Sequence, residues 1–308
     1  MRSAASEVPF VKGHGTENDF VLLLDPDGTL ELSPATVAAL CDRHAGLGAD
    51  GLIRVVRSAA VPDGAAPADD AEWFMDYRNA DGSTAQMCGN GTRVFAAYLG
   101  AAGLARLHDG DVVAIGTRAG VKHVRREGGH YVTDLGAWAV VGGEDAVVDG
   151  RDCIVEIGRV PVGVPWAPLP GLSIDLGNPH TVVALPDTGE LAAADLSRPP
   201  VVRPTPPEGT NVELVVPLHD ASARVGHLAM RVHERGVGET RSCGTGVVAA
   251  AIAARAWGGA AAPAVWTVDV PGGRLRVTLP EGDSVRGVAA ELAGPAVLGT
   301  EGLLTNLP

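Results

Sequence analysis

The feature that most constrains the fold of this chain is an internal duplication. Residues 74–92 and 229–247 align without a gap, and each copy has a strand-like run, a polar loop, a Cys-Gly-x-Gly sequence and an apolar helical stretch. The cysteine of the first copy is Cys88 and that of the second is Cys243. Two copies are too few for a solenoid, which needs about three. The duplication therefore predicts two similar domains that face each other across a cleft.

The duplication extends beyond the glycine-rich sequence. Asn79 and Glu234 each lie nine residues before the cysteine of their copy. Further upstream, an asparagine precedes an apolar strand in each half of the chain, Asn18 in the first and Asn211 in the second. We therefore expect Asn18 and Asn211 to occupy equivalent places in the two domains.

The composition predicts a strand-rich chain with few helices. The 308 residues include 41 glycines and 22 prolines, about a fifth of the chain, which indicates many turns and argues against a helical bundle. The predicted strands are Phe20–Leu24, Leu52–Val56, Trp73–Arg78, Val112–Ile115, Val182–Leu185, Val212–Val216, Leu228–His233 and Leu275–Leu279. The predicted helices are Ser33–His44, which Ser33 caps, Thr92–Ala102 and Val247–Trp257. The segment Ala59–Glu72 is predicted to be a solvated loop.

Charge and apolar patterning narrow the class of protein. The chain carries 24 basic and 37 acidic residues, a formal net charge of −13. Nucleic acids and membrane surfaces are therefore not expected as partners, because both need clustered Lys and Arg. Residues 1–15 lack the apolar core of a signal peptide, and the apolar run 247–254 is far shorter than the ~20 residues of a membrane span. We predict a cytoplasmic protein. None of the four cysteines forms a C-x-x-C pair, and no metal site is expected.

Each Cys-Gly-x-Gly sequence is expected to lie where a helix begins. The first turn of a helix offers unpaired backbone N–H groups and the positive end of the helix dipole, and glycine lets a ligand approach closely. Such a position suits a carboxylate or a phosphate, and it lowers the pKa of a cysteine placed there. Two matched cysteines suggest stereoinversion, in which one group removes a proton from one face of a carbon and the other supplies a proton to the opposite face.

The residues alone leave other readings open. Pyridoxal phosphate chemistry needs a lysine, and the chain has only Lys12 and Lys122, neither in a phosphate-binding context, which disfavours this cofactor without excluding it. Residues 244–249 match the dinucleotide fingerprint G-x-G-x-x-A, which makes a dinucleotide-binding oxidoreductase an alternative. It is the less favoured one, because the polar stretch 239–242 stands where that fingerprint requires a buried strand. Two modules that bind a small anion without catalysis would also explain the helix starts. Free cysteines are common in protein cores, and Cys41 and Cys153 are expected to be structural.

Motifs that carry a family resemblance lie along nearly the whole chain. They are Gly15–Phe20, Asp42–Gly51, Asn79–Ser83, Met87–Gly91, Gly177–His180, Gly209–Val212, Glu234–Gly236 and Ser242–Gly246. In this order they resemble the diaminopimelate epimerases, which invert an amino-acid centre without a cofactor. The resemblance implies an α+β fold with two pseudo-symmetric domains, each a mostly antiparallel curled sheet or barrel around a central helix. The domains would comprise residues 1–118 with 295–308, and residues 119–294, because the last strand returns to the first domain.

The same resemblance implies site residues. Cys88 and Cys243 would be the catalytic pair, and His180 and Glu234 would lie near the two thiols. Substrate contacts would come from Asn18, Asn79, Gly89, Asn90, Asn178, Asn211, Glu234, Arg235, Gly244 and Thr245. Many relatives have Gln where this chain has Gly51, so no side-chain contact is expected at that position.

The resemblance also implies a reaction. It is the interconversion of LL- and meso-2,6-diaminopimelate, a step of lysine and peptidoglycan precursor synthesis, with this small molecule as the partner and a homodimer left open. The nearest alternative is a proline racemase-like enzyme, which also uses paired cysteines. The asparagines and Arg235 favour the longer substrate with two zwitterionic ends, because a guanidinium binds a second carboxylate in a bidentate manner.

Overall fold

The computed structural model describes residues 7–159, 167–218, 224–280 and 285–305. Residues 1–6, which belong to the segment predicted not to be a signal peptide, lie outside this description. The chain forms two compact units, one from the residues up to Thr133 together with those from Gly294 onward, and one from Asp134–Ala293. Across the described residues, no helix combines the length and the apolar character needed to cross a membrane.

The first unit begins with seven strands and two helices. They are β1 Val8–Gly15, β2 Asn18–Leu24, α1 Pro34–Cys41, β3 Gly51–Arg57, β4 Trp73–Asn79, α2 Gly89–Ala101, β5 Val112–Thr117, β6 Gly120–Glu127 and β7 His130–Asp134. Because β5, β6 and β7 form consecutive antiparallel pairs, this unit runs past residue 118, where the sequence places the domain boundary.

The second unit contains the next fourteen strands and three helices of the described chain. They are β8 Trp138–Val140, α3 Gly143–Asp149, β9 Cys153–Glu156, β10 Gly158–Arg159, β11 Leu169–Asp175, β12 Pro179–Ala184, α4 Thr188–Ala193, β13 Ala194–Asp195, β14 Val201–Arg203, β15 Asn211–Pro217, β16 Gly226–Glu234, β17 Gly238–Thr240, α5 Gly244–Gly258, β18 Val265–Val270, β19 Gly273–Thr278, β20 Arg286–Gly287 and β21 Glu291–Gly294. The last strand, β22 Val297–Leu304, belongs to the first unit and pairs antiparallel with β1.

The two units repeat one strand plan. In the first unit, β1 is antiparallel to β2, β2 parallel to β3, β3 antiparallel to β4, β4 parallel to β5 and β5 antiparallel to β6. In the second unit, β11, β12, β15, β16, β18 and β19 pair in the same order and with the same directions. Helix α2 connects β4 to β5, and α5 connects β16 to β18. The structure thus confirms the duplication that the sequence predicts.

The strand register corrects one expected equivalence. Phe20 lies opposite Gly51 in the first unit, and His180 lies opposite Asn211 in the second. Asn211 is therefore equivalent to Gly51, and Asn18, two residues before Phe20, is equivalent to Asn178. The expected match of Asn18 with Asn211 is wrong, because β12 and β15 correspond to β2 and β3 respectively.

Alternating side chains bury both faces of the first sheet. Phe20 and Leu22 of β2 belong to a core cluster with Val94, Phe95 and Leu99 of α2. The intervening side chains of β2 pack with α1 on the other face. This period of two is what a strand covered on both sides requires. The helix α2 therefore lies at the centre of its unit, and its first turn is held firmly by the strands around it.

Most predicted elements are confirmed, with small shifts at their ends. Each of the eight predicted strands and three predicted helices matches an observed element. The Oγ of Ser33 accepts a hydrogen bond from the N–H of Thr36 at 3.0 Å, as expected of an N-cap. The loop Ala59–Glu72 differs from the prediction, because short 3-10 turns fold it and Gly64, Pro67 and Ala71 are buried.

Candidate active site

Two equivalent half-sites lie at the first turns of the central helices. We call the group around Cys88 the first half-site and the group around Cys243 the second. Each cysteine is the N-cap of its helix and has an extended backbone, with φ −138° and ψ 123° at Cys88 and φ −119° and ψ 113° at Cys243. The backbone N–H groups of the first helical turn point toward the start of the helix, where the cysteine lies. Each half-site therefore combines a thiol with a helix start, as the sequence predicts.

In the first half-site, Cys88 is half-buried and contacts neutral groups. Its sulfur accepts a hydrogen bond from the N–H of Gly91 at 3.5 Å. Its thiol faces the Oδ1 of Asn18 at 3.7 Å. Asn18 follows a two-residue turn in which Thr16 and Glu17 have φ values of 51° and 63°, a strained region for residues other than glycine. This turn places the Asn18 amide against the thiol.

A chain of hydrogen bonds orients the two amides beside Cys88. The Nδ2 of Asn18 donates to the Oδ2 of Asp50 at 2.8 Å, and the Nδ2 of Asn90 donates to the Oδ1 of Asn18 at 3.1 Å. At the other end, the Nη2 of Arg93 donates to the Oδ1 of Asn90 at 2.8 Å. A carboxylate only accepts hydrogen bonds and a guanidinium only donates them. The two charged ends therefore determine which way both amides point.

Arg93 is a buried cation next to this chain. Its side chain is fully buried, and its hydrogen bonds go to neutral oxygens, those of Gly89, Asn90 and Pro295. Burial lowers the pKa of Arg93 to about 10, and a charge on Cys88 acts in the opposite direction. Arg93 is therefore still charged at neutral pH, at the start of the helix that Cys88 caps.

In the second half-site, Cys243 is buried beside carboxylates. Burial, followed by the charges of Glu234 and Glu213, raises the pKa of the Cys243 thiol well above its usual value, and the hydroxyl of Thr245 and the N–H of Gly246 only partly oppose this. The sequence predicts a lowered pKa at this position, and that prediction is wrong for Cys243. The helix start is present, but burial and two negative groups outweigh it.

Three ionisable side chains of the second half-site, His180, Glu213 and Glu234, lie close enough to influence one another. The Nδ1 of His180 lies 2.7 Å from the Oε1 of Glu213, and neither side chain is exposed to solvent. The His180 Nε2 and Glu213 Oε2 atoms are buried without a hydrogen-bond partner in the described part of the chain. Glu234 accepts a hydrogen bond from Thr240 and has a raised pKa, chiefly because it is buried. Its carboxyl group also forms a hydrogen bond with the Cys243 thiol.

The remaining predicted site residues lie on the edges of the two half-sites. Asn79 ends β4 and donates to the Oγ of Ser83 at 3.0 Å, and Gly89 opens α2. In the second unit, Asn178 donates to the Oγ1 of Thr245 at 3.4 Å, just after Gly244 opens α5. This contact joins the positions equivalent to Asn90 and Asn18, but in the opposite direction, since here the residue of the helix accepts the hydrogen bond.

Asn211 and Arg235 form a separate pair of contacts. The Oδ1 of Asn211 accepts from the backbone N–H of Arg235 at 2.9 Å, and its Nδ2 donates to the carbonyl of Pro179 at 3.3 Å. The Arg235 guanidinium is exposed and donates to the carbonyl of Glu208 at 2.8 Å. The same guanidinium nitrogen also lies 3.7 Å from the Oε2 of Glu208, so it already has a carboxylate neighbour.

Sequence reasoning missed three polar residues of the half-sites, Asp50, Arg93 and Glu213. The signal at Arg93 is an arginine inside an otherwise apolar helix, and that at Glu213 is an acid in the middle of an apolar strand. Charged side chains almost never become fully buried unless they are paired or functional. Asp50 carries no comparable signal, since it lies in a polar loop.

Comparison with known protein families shows to which family the chain belongs. A sequence model of the family described as diaminopimelate epimerase matches residues 10–139 and 172–297. The chain belongs to the diaminopimelate epimerase family. The diaminopimelate epimerase of Streptomyces coelicolor is 47% identical over 308 residues, 97% of this chain and 96% of the relative. That of Thermobifida fusca is 49% identical over 302 residues, 95% of this chain and 96% of the relative. The predicted family and the predicted enzyme class, an isomerase, are confirmed.

Solved structures show the same fold at low sequence identity. A phenazine biosynthesis protein of the PhzF family from Bacillus anthracis has a TM-score of 0.62 at 15% identity and covers 97% of this chain and 99% of its own. A hydroxyproline epimerase from Agrobacterium vitis has a TM-score of 0.59 at 13% identity, with coverage of 99% and 94%. The predicted α+β class is confirmed.

Proposed function

We propose that this member of the diaminopimelate epimerase family interconverts LL- and meso-2,6-diaminopimelate without a cofactor, using Cys88 and Cys243 as a pair of acid and base. The reaction would serve lysine and peptidoglycan precursor synthesis. The observation that carries the proposal is the repetition of one arrangement, a cysteine that caps a central helix, in two units of the same plan. A reaction that inverts a carbon needs two proton-transfer groups of this kind.

In the proposed mechanism, one cysteine acts as thiolate and the other as thiol. The thiolate removes the α-proton from one face of the carbon, and the electron pair of the broken C–H bond moves toward the adjacent carboxylate. The thiol then delivers its proton to the opposite face, so the product has the inverted centre and the two sulfurs have exchanged states. The reverse reaction uses the same groups in exchanged roles.

Stabilisation of the negative charge that develops on the substrate must supply much of the rate enhancement. Acid–base catalysis by positioned groups contributes about 10²–10⁴-fold, too little alone for a weak carbon acid. The N–H groups after Cys88 and Cys243 would bind the carboxylate where negative charge develops. The residues that present them are Gly89, Asn90, Gly244 and Thr245.

The polar residues of the half-sites have distinct proposed roles. His180 and Glu234 orient the reacting centre at the second half-site, where Glu234 contacts the Cys243 thiol. Asn18, Asn79, Asn178 and Asn211 bind the ammonium and carboxylate groups of the substrate. Arg235, whose guanidinium is exposed, binds the carboxylate at the end of the substrate that does not react.

The test is proton exchange and epimerisation by the purified protein. We expect it to convert LL- to meso-diaminopimelate, and the reverse, in deuterium oxide after extensive dialysis with no cofactor added. Proline is the matched alternative substrate, because the A. vitis enzyme that shares the fold is a hydroxyproline epimerase. Exchange with proline but not with diaminopimelate would overturn the proposed substrate. Dependence on added pyridoxal phosphate would overturn the proposed independence of cofactors.

The cellular context remains a set of predictions. We expect a cytoplasmic enzyme whose partner is its small-molecule substrate, without a nucleic acid or membrane partner. The sequence leaves a homodimer open, and light scattering of the purified protein at several concentrations distinguishes a dimer from a monomer.

A further inference from the structure

The two half-sites carry buried charges of opposite sign, each at a position where the other unit has an apolar residue. Arg93 lies five residues after Cys88, and its equivalent five residues after Cys243 is Val248. The buried pair His180–Glu213 of the second half-site corresponds to Phe20 and Ile53 in the first, both fully buried and apolar. The first unit therefore has a cation, Arg93, where the second has an apolar side chain. The second unit has a carboxylate, Glu213, where the first has an apolar side chain.

Close contacts at the first helical turns confirm this correspondence. Gly91 and Gly246 each lie three residues after the cysteine. A Cβ atom on Gly91 would lie 3.4 Å from the Cδ1 of Ile53, whereas a Cβ atom on Gly246 would lie 2.6 Å from the Oε1 of Glu213. The Glu213 carboxyl group thus packs directly against the first turn of α5, in the place that an isoleucine methyl occupies beneath α2.

The first half-site has one contact that favours the neutral thiol, the hydrogen bond from Cys88 to the Oδ1 of Asn18 at 3.7 Å, and two features that favour a negative charge on the sulfur. The N–H of Gly91 donates to the Cys88 sulfur, and the hydrogen bonds of Arg93 leave its charge without a carboxylate partner in the described chain. A buried charge without a counter-ion is costly, so an anion at Cys88 stabilises both groups. Beyond Asn18, the side chains of Lys12, Arg43, Asp19 and Asp50 form ion pairs in which two positive and two negative charges balance.

The second half-site disfavours that charge. Glu213 of β15 and Glu234 of β16 both oppose ionisation of Cys243, and His180 of β12 is engaged by Glu213. The hydroxyl of Thr245 lies 3.6 Å from the Cys243 sulfur and gives only a weak neutral contact. A negative charge on Cys243 would lie beside these carboxyl groups in a buried place with little solvent to screen it.

We propose that Arg93 and Glu213 are positioning residues that set unequal proton affinities, so that the free enzyme holds Cys88 as the thiolate and Cys243 as the thiol. The assignment of acid and base rests on the proposed function, whereas the difference between the thiols does not. One consequence is that the free enzyme reacts directly with the isomer whose α-hydrogen faces Cys88. The other isomer requires the proton to move from Cys243 to Cys88 first.

The test follows alkylation of each cysteine against pH. Iodoacetamide forms a C–S bond with a thiolate and releases iodide, and mass spectrometry assigns each labelled peptide. We expect the rate at Cys88 to reach half of its maximum at a lower pH than the rate at Cys243. In the Glu213→Gln variant, which retains an acceptor for His180, we expect the pH midpoint for alkylation of Cys243 to fall by about one pH unit. At any pH below the midpoint, this shift makes alkylation of Cys243 about tenfold faster. The Cys88 midpoint should not move.

A matched variant controls for loss of any acidic residue. Glu156→Gln, on β9 of the same unit, removes an exposed glutamate and should move neither midpoint. The comparison of the two cysteines in the unmodified protein needs no variant, so the test survives if Glu213→Gln does not fold. Equal midpoints, a lower midpoint at Cys243, or no shift in folded Glu213→Gln would each overturn the proposal. Because no substrate is present, these outcomes are independent of whether the protein epimerises diaminopimelate.

Discussion

The first turns of α2 and α5 have the same backbone but different surroundings. Both begin after an extended cysteine and have glycine at the third helical position. Beneath α2 the neighbours of that glycine are Phe20 and Ile53, whereas beneath α5 a carboxylate oxygen approaches it. The duplication has kept the geometry that presents a thiol at a helix start, and the side chains below it have diverged. Two copies of one fold can thus surround equivalent cysteine thiols with different charges.

The largest expected effect comes from removing either thiol. Cys88→Ala and Cys243→Ala should each lower the epimerisation rate by about 10²–10⁴-fold or more, because each removes one member of the proposed pair of acid and base. Cys41→Ala and Cys153→Ala are matched controls, since burial raises the pKa of these thiols to about 11 and about 12 and neither lies in a half-site. Rates come from chiral chromatography of the products.

The four alanine variants also separate the competing readings of the cysteines. Near-normal epimerisation by Cys88→Ala would contradict a catalytic role for that residue. A loss of activity in Cys41→Ala equal to that in Cys88→Ala, with both proteins folded, would mean that the thiols act through stability alone.

A second set of variants replaces the buried pair His180–Glu213 by its apolar equivalents in the first unit, Phe and Ile. Glu213→Ile alone leaves His180 buried without its partner and should lower the free energy of unfolding by about 3–5 kcal/mol. The double variant His180→Phe with Glu213→Ile copies the pattern of the first unit and should recover most of that loss, because both polar groups are gone. Urea denaturation measures both. A double variant less stable than Glu213→Ile would show that the two units do not accept the same packing.

Alanine substitutions at the equivalent glycines Gly91 and Gly246 test how much room each helix start leaves for a side chain. Gly246→Ala forces a Cβ atom against the Glu213 carboxyl group and should destabilise the protein by about 1–3 kcal/mol. Gly91→Ala meets its neighbours at 3.4–3.5 Å, ordinary contact, and should be neutral or stabilise by up to about 1 kcal/mol because alanine favours the helix. Thermal and urea unfolding of the two variants give the comparison, and equal destabilisation would count against it.

Alkaline pH gives a smaller effect at the second thiol. The pKa of Cys243 is raised in the folded protein, so above pH 9 this thiol ionises in the unfolded chain before it does so in the folded one. The unfolded state then binds fewer protons, and stability falls by about 1.4 kcal/mol per pH unit for one such thiol. Cys243→Ala should reduce this slope between pH 9 and 10, and Cys88→Ala should change it less. An unchanged slope in Cys243→Ala would contradict the raised pKa.

The sequence predicts the parts of this structure that depend on local pattern. The duplicated Cys-Gly-x-Gly correctly indicates two helix starts, and Ser33 with Pro34 correctly indicates a third. Strands with weak apolar alternation escape the same reasoning. Gly120–Glu127 is one example, since several of its side chains are charged although it pairs with two neighbours.

The sequence does not show which residues, distant from one another along the chain, lie next to each cysteine thiol. The position of Glu213, beside an apolar residue on each side, fits a solvated strand face equally well, and only its packing against α5 shows that it is buried. The same limitation explains the wrong pKa direction at Cys243, whose carboxylate neighbours come from separate strands. The sequence pattern equates Asn18 with Asn211, because both precede apolar runs, and only the strand register shows that Asn178 is the equivalent of Asn18.

The most direct test of the central claim is where deuterium first appears when LL-diaminopimelate is incubated with the enzyme in deuterium oxide. The proposed mechanism, in which the two thiols act on opposite faces of one carbon, predicts that the meso product carries deuterium from the earliest turnovers while the recovered LL-isomer keeps its original hydrogen. A product that retains the hydrogen of the substrate, or equal early labelling of both isomers, would show that one group performs both transfers and would contradict the account.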